Sequence, residues 1–315
     1  MFNIIIFFIS FLVITLAKAN TINFVAIGDL PYGDPVKTYP IYQALISKIN
    51  KIKPEFSIHV GDIKSGNSLC SDKELLAQLY HFSMFDSALI YTPGDNEWTD
   101  CHRLSAGSYD PLERLKFIRR NFFLPDKSLG KNPISLIQQS KIHKNYTKFI
   151  ENSMWLHKNI LFSTVHIVGS NNNFESREFN ATKEFFERDE ANIKWINEFF
   201  DYAIKNQVKA MVISMHADIF LSKNNWTDFP NNSGFKKSVG ETMLRLSNSV
   251  SIPILIIHGD SHRFKFDQPF SSKGEKILNV SRLDVPGARD IRSVLVKINT
   301  DREKPFSVEL ISPNN

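Results

Sequence analysis

An α/β fold, with one largely parallel sheet and a second, mixed sheet, is predicted by three features of this 315-residue chain. Apolar runs of strand length alternate with amphipathic helical patterns, as in βαβ units. Four of the apolar runs end in the same dipeptide, Gly-Asp, and a fifth ends in His. Two further apolar runs close the chain, and a hairpin-like region lies near residues 150–170.

The elements follow in order. "INFVAIGD" (22–29) reads as a buried strand. Ile41, Leu45, Ile49 and Ile52 then recur at helical spacing. "FSIHVGD" (56–62) is the second strand, and Ser71 with Glu74 forms a capping box ahead of Leu75, Leu79 and Phe82. "ALIYTPGD" (88–95) is the third. Asp110-Pro111 opens another helix, with Pro at its first position. Residues 125–160 read as an irregular, polar insertion or hairpin that leads into a strand, "ILFSTVHIVGS" (160–170). An amphipathic helix is predicted over 188–206, with Ile193, Ile196, Phe200 and Ala203 on one face. "VKAMVISMH" (208–216) is a strand, a short helix lies near Glu241–Leu246, and "IPILIIHGD" (252–260) is the fifth clear strand. The closing runs "SVLVKI" and "FSVELIS", together with the 150–170 region, are assigned to the second sheet.

The N-terminus stands apart. The apolar run Ile4–Ala17, followed by Ala17-Lys18-Ala19, has the form of a secretory h-region and cleavage site. It is shorter than the ~20 residues that cross a bilayer. Cleavage after Ala19 leaves residues 20–315 as one domain, exported to a periplasm or secreted, with no stable membrane span. Net charge is +5, and no block of like charge marks a nucleic-acid arm, so duplex binding is not expected. Two cysteines, Cys70 and Cys101, are expected to bridge in an exported chain; two free thiols are the alternative. Sequons stand at Asn145, Asn180, Asn225, Asn231 and Asn279.

The chemistry lies at the strand ends. Asp29, Asp62, Asp95 and Asp260 follow the glycines there, and His216 ends the fifth run. Strand ends of an α/β sheet line the crevice where ligands bind. Glycine lets the chain turn so that the next side chain points into that crevice. A turn or cap accounts for any single Gly-Asp. Four at one structural place would repel one another unless protons or metal ions neutralise them, and a pair of divalent cations answers that need.

The order Asp29, "GDIKSG" (61–66), "PGDNE" (93–97), His216 and "GDSH" (259–262) resembles the calcineurin-like metallophosphoesterases over roughly residues 22–265. The resemblance implies a four-layer sandwich, two mixed β-sheets flanked by helices. It also implies two metal ions and a small phosphate ester or nucleotide as substrate, attacked in line by a metal-bridging hydroxide. Carried over by position, Asp29 and His262 would bind the first metal, Asp62 would bridge, and His216 would bind the second. Asp95 stands where the family has an Asn ligand, and Asp260 where it has a His. Pro31 replaces the His of the first motif, and Asn96 replaces the His that acts on the leaving group. His258 reads as a buried strand residue that could compensate for Asp260.

Four carboxylates against two divalent ions leave no positive excess to attract phosphate. Oxygen ligands favour Mg²⁺, Mn²⁺ or Ca²⁺ over Zn²⁺, and trivalent iron would restore some excess, so Mn, Mg or Fe is favoured. His102 and Arg103 are the candidates to replace the missing proton donor and to hold a phosphate oxygen. Glu97 would orient a neighbour, Trp98 would wall the pocket or join the core, and a Cys70–Cys101 bridge would tie two loops of the site together. "GSNNNFE" (169–175) offers amides, either as a polar loop or as a substrate contact. His59, His81, His143, His157 and His166 fit no motif position. A phosphoesterase is the expected activity. A catalytically impaired metal- or phosphate-binding protein on the same fold is the alternative.

Overall fold

The structure, a computed structural model, describes residues 21–175, 179–219, 233–272 and 275–313. The expected leader and the sequons Asn225 and Asn231 lie outside the described residues. Strand β1 (Thr21–Ile27) leads into helix α1 (Pro35–Ile52), then β2 (Phe56–His59), α2 (Asp72–Phe82), β3 (Ala88–Tyr91) and α3 (Pro111–Phe122). Strands β4 (Ile137–Gln138), β5 (Ser153–His157) and β6 (Ile160–Thr164) precede a long helix, Phe179–Lys205. Strand β7 (Ala210–Ser214) follows, and β8 (Ile254–His258) comes after a π-helical segment, Lys236–Leu244, that runs into a helical turn, Arg245–Ser249. The chain ends through β9 (Lys265–Asp267), a two-strand ribbon of β10 (Ser271–Ser272) and β11 (Glu275–Lys276), β12 (Val280–Asp284), β13 (Ser293–Asn299) and β14 (Phe306–Ile311).

Local chemistry places the helix starts. Asp34 and Asp110 accept from backbone N–H groups of the first turn, each followed by Pro, and Ser71 Oγ accepts from Glu74 N at 3.2 Å. These caps satisfy donors that a helix cannot satisfy within itself.

The first sheet has the order β14-β13-β1-β2-β3 and the second β4-β5-β6-β7-β8-β12-β9. β1, β2 and β3 are mutually parallel, as are β6, β7, β8 and β12. The strands read as unbroken apolar runs because both faces are covered. Phe24, Ala26, Phe56 and Ile58 of the first sheet meet Phe162, Val212, Leu255 and Ile257 of the second. Val25, Ile27 and Leu89 face the other way, onto α1, α2 and α3. The outer face of the second sheet packs on the long helix and the π-helical segment, through Met211, Ile213, Trp195, Phe199 and Val239. The order is therefore helix, sheet, sheet, helix, as expected.

Three assignments change. The closing strands β13 and β14 do not join the second sheet; β13 pairs antiparallel with β1, and β14 with β13. Pattern alone cannot assign a strand to one of two sheets, because the faces of both are apolar. The second sheet instead gains β12 and β9, whose short polar-edged segments carry little periodicity. Of the two readings of residues 125–160, the hairpin describes the stretch into residue 160, since β5 pairs antiparallel with β6 and β4 with β5, extending the second sheet. The strand from residue 160 stops at Thr164, and the helix predicted from 188 begins at Phe179. No helix among the described residues is long and apolar enough to cross a membrane.

Two histidines outside the strand-end cluster carry a pH signature. His81, between α1 and α2, contacts Gln78 and Gln43, and burial pushes its pKa down to about 4. His166 Nδ1 donates to Glu151 Oε1 (2.8 Å), and burial again brings it to about 4, against the pull of Glu151. Below about pH 6.5 the unfolded chain takes up protons that the folded chain refuses. Their contribution is therefore full above that pH and is lost as the pH falls toward 4. The thermal midpoint is expected to fall between pH 7 and pH 5, and a His81→Gln, His166→Gln pair to flatten that slope; circular dichroism melts would check it.

Candidate metal centre

The parallel strands of both sheets point their C-terminal ends at one place. Asp29 follows β1, Asp62 follows β2, Asp95 follows β3, His216 follows β7 and Asp260 follows β8. Backbone bonds carry the ladder past the strands: Asp29 N donates to Gly61 O (3.0 Å), Thr92 N to His59 O (3.0 Å), and Gly259 N to His216 O (3.0 Å).

Only one motif glycine does the job expected of it. Gly61 is in left-handed backbone at φ 95°, whereas Gly28, Gly94 and Gly259 are not, and Asp29, Asp62, Asp260 and His262 are, with φ of 54°, 56°, 71° and 60°. The functional residues themselves hold the conformation that L-residues rarely adopt. The glycines supply room. A Cβ on Gly94 would lie 2.2 Å from Asp62 Oδ1, and one on Gly259 would lie 2.1 Å from Asp29 Oδ2. At Gly94 and Gly259 the gap is filled by the carboxylate of another motif, at Gly28 by the Val60 side chain, and at Gly61 by the Gly94 backbone.

Two groups of possible ligands result, each with its donor atoms within 4.8 Å of one another: Asp29, Asp62 and His262, and Asp62, Asp95 and His216. Asp62 belongs to both. His216 Nε2 stands 3.0 Å from Asp95 Oδ1 and 3.2 Å from Asp62 Oδ1, and His262 Nε2 is 3.4 Å from Asp29 Oδ1. His216 Nδ1 faces Val60 O at 2.8 Å. A carbonyl only accepts, so Nδ1 carries the hydrogen. The Nε2 edge is then left facing two carboxylates. That arrangement needs a positive charge, either a second proton on His216 or a cation between the three groups.

The electrostatics say the same. Burial opposes a charged His216, but Asp62 and Asp95 outweigh it and push its pKa well above the ordinary value. Burial also works against a charged Asp95, yet the His216 bond and charge hold its carboxyl below the usual range. Burial drives Asp62 well up, with Asp95, Glu97 and Asp29 adding to it against His216. Burial and the charge of Asp95 push Asp260 up to about 7. Hard cations suit such oxygen-rich donors, so the two groups fit two metal ions.

Asp260 lies beside both groups and in neither. Its Oδ2 accepts from Asp218 N (3.1 Å), and its own N donates to Asp29 (3.0 and 3.2 Å). His258 is fully buried, facing Gly259 O, and burial brings its pKa down to about 4. Glu97 Oε1 accepts from Asp62 N (3.2 Å), Gly94 N (2.6 Å) and the Tyr91 hydroxyl (2.7 Å), which fixes the turn that presents Asp62. Trp98 does not wall a pocket. It is fully buried, clustered with Leu115 and Val168 beneath Arg188.

Asn96 keeps the place of the expected leaving-group residue. Its Nδ2 donates to the Tyr32 hydroxyl (2.7 Å) and to Asp62, and its N donates to Asp62 Oδ1 (3.1 Å). Arg103 Nη1 and Asn96 Oδ1 flank one point, lying 3.2 and 2.7 Å from where a Cβ on Gly66 would be. His102 Nδ1 instead faces Thr99 O at 2.8 Å. Cys70 and Cys101 form the expected bridge, both fully buried.

Two residues were missed. Tyr32 donates to Asp62, and burial followed by the Asp62 charge raises its pKa well above 10. Its position three residues after Asp29 was the available signal. Ser170 Oγ lies 2.8 Å from Asp95 Oδ2 and 3.0 Å from Asp100 Oδ1. Ser170, Asn171, Asn172 and Asn173 are four consecutive left-handed residues, which no pattern announces. The amides of "GSNNNFE" are structural. Asn172 holds Arg188 and Gly234, Asn173 holds Glu184, and Asn171 bonds Phe174 O and Gly234 N.

No family model matches the sequence, and no curated protein matches it. Solved structures do. GAP50, the anchor in the inner membrane complex of Plasmodium, is 11% identical over 95% of this chain and 86% of its own, with a TM-score of 0.54. A dimetal phosphatase from Danio rerio is 10% identical over 93% and 99%, with a TM-score of 0.52. The chain has the calcineurin-like metallophosphoesterase fold. A purple acid phosphatase from yellow lupin seeds shares it as well, at 9% identity, 94% of this chain and 54% of that one, with a TM-score of 0.50. In this metallophosphoesterase fold the first sheet presents Asp29, Asp62 and Asp95, and the second presents His216 and Asp260 with His262.

Gly94→Ala is expected to displace the Asp62 carboxylate, costing about 1–3 kcal/mol of stability and weakening Mn²⁺ binding; calorimetric titration and thermal melts read the two effects. Reduction of the Cys70–Cys101 bridge is expected to lower stability by about 3–4 kcal/mol, measured by denaturant unfolding with and without reductant.

Proposed function

We propose that this chain is an exported metal-dependent phosphoesterase that hydrolyses a small phosphate ester. One observation carries the reading: two ligand groups share Asp62 where both sheets converge. The apolar leader and the buried cystine support export. When bound, divalent ions supply positive charge for phosphoryl oxygens and lower the pKa of water. Overall, one water is consumed, the ester P–O bond breaks, and an alcohol and a phosphate are released.

The residues of the chain divide the work. Asp29 and His262 would hold one ion, Asp95 and His216 the other, and Asp62 would join them, with Asp260 adding charge beside both. Val60 O orients His216 so that Nε2 faces inward. Tyr32 and Asn96 donate to the Asp62 carboxylate, and Glu97 holds the Asp62 backbone N–H. Asn96 has no titratable proton, so it orients and donates hydrogen bonds without protonating a leaving group. That same feature favours the second reading, a metal- or phosphate-binding protein without turnover.

Aryl phosphate hydrolysis by the purified protein in Mn²⁺ is the test. Asp62→Asn is expected to lower the rate by at least about a hundredfold, the equivalent of several kcal/mol of lost charge stabilisation. A folded, Mn²⁺-loaded wild type without turnover would establish the second reading. On either reading, Mn²⁺ should raise the thermal midpoint and chelator reverse it, by about 2.7 kcal/mol at a hundredfold excess over Kd. A midpoint indifferent to both would sink the metal centre.

A further inference from the structure

Arg103 is positioned beside the centre by a chain of contacts that begins at a metal-group carboxylate. Ser170 Oγ touches Asp95 Oδ2 at 2.8 Å and Asp100 Oδ1 at 3.0 Å. Asp100 Oδ2 pairs with Arg103 Nη1 at 2.6 Å. Asp100 is buried, while the Arg103 side chain is 45% exposed, so the fork is anchored at its inner edge and open toward solvent. The backbone beneath it is also held. Arg103 N donates to Asp100 O (3.0 Å), Ala106 N and Ser108 N both donate to Arg103 O (3.0 Å), and the cystine at Cys101 ties the turn to Cys70. A guanidinium carries five donors, and the ion pair with Asp100 engages only part of the fork.

Its direction is set by Gly66. The missing side chain there leaves Arg103 Nη1 and Asn96 Oδ1 facing a common space, while the other end of the Asn96 amide bonds Asp62. The guanidinium is therefore one amide away from the carboxylate that both ligand groups share.

Charge decides what this placement selects. Asp29, Asp62 and Asp95 offset most of the charge of two divalent ions and Asp260 stands beside them, so the centre offers little surplus for an incoming dianion. A monoester near neutral pH carries close to two charges on three terminal oxygens. A diester carries one charge on two oxygens, and its remaining positions are esterified. Only the monoester presents a third charged oxygen that still needs a partner. We infer that Arg103, held by Asp100 and Ser170, supplies that partner and makes this a phosphomonoester site. The inference rests on the phosphoesterase reading and deepens it.

The test compares 4-nitrophenyl phosphate with bis(4-nitrophenyl) phosphate on the full Mn²⁺-loaded protein. Wild type is expected to favour the monoester in kcat/KM. Arg103→Ala should lower the monoester-to-diester ratio by about 10–100-fold, as expected for a lost charge-assisted hydrogen bond. Arg103→Lys should restore part of it, and Asp100→Asn should raise the monoester KM more than it lowers kcat. An equal fall for both esters, or a wild type that favours the diester, overturns the inference. If wild type hydrolyses neither ester, the enzyme reading fails and titration of inorganic phosphate still decides this one. Arg103→Ala must then weaken phosphate binding by about tenfold or more, and unchanged binding overturns it.

Discussion

Negative charge crowded at the meeting point of two sheets governs this structure. Asp62 is almost wholly buried, with Asp95, Glu97 and Asp29 close enough to raise its pKa. Buried carboxylates repel, and a protein holds them together only with compensating charge. The doubly raised His216 is one answer that the chain supplies itself. Two cations would supply it more completely, and the ligand groups that share Asp62 have the donors for them. Left-handed backbone at Asp29, Asp62, Asp260 and His262 accompanies this crowding, with Asp29 N held by Gly61 O, Asp62 N by Glu97 and Asp260 N by Asp29.

The surrounding layers exist to hold that meeting point rigid. The inter-sheet core brings Phe24, Phe56 and Phe162 into contact between the two sheets. On the first sheet, α1 to α3 cover the outer face. On the second, the long helix does more than cover it. Its Arg188 reaches His166 O, Asn172 and Glu184, and so braces the left-handed turn that carries Ser170 to Asp95. A buried arginine with each of its nitrogens bonded is stable only with such partners, and the turn supplies two of the five bonds, both through Asn172. The cystine performs the matching task for the loop of Asn96 and Arg103.

Set against the family pattern, acids stand at Asp95 and Asp260, an amide at Asn96 and Pro31 in the first motif. On the proposed reading, Asp95 and Asp260 would add acid to the centre, Asn96 would remove a proton donor, and Arg103, half open to solvent, would return positive charge at the edge. The structures that share the fold include phosphatases and an anchor, so the fold by itself does not choose between the two roles.

The sequence by itself determined the alternation of strands and helices, the caps at Asp34, Ser71 and Asp110, and the strand ends where Asp29, Asp62, Asp95, His216 and Asp260 stand. These are local: periodicity, capping and a repeated dipeptide are all legible within a few residues. Tertiary structure alone decided which sheet β13 and β14 would join, because apolar faces do not name their partners. It alone showed that Gly94 and Gly259 make room for a neighbour's carboxylate while Gly61 turns the chain. It alone brought Ser170 and Asp100 to Asp95 and Arg103, and placed Tyr32 on Asp62. Those contacts link residues as far as 75 positions apart, and no local pattern records a hydrogen bond between segments that meet only when both sheets have closed.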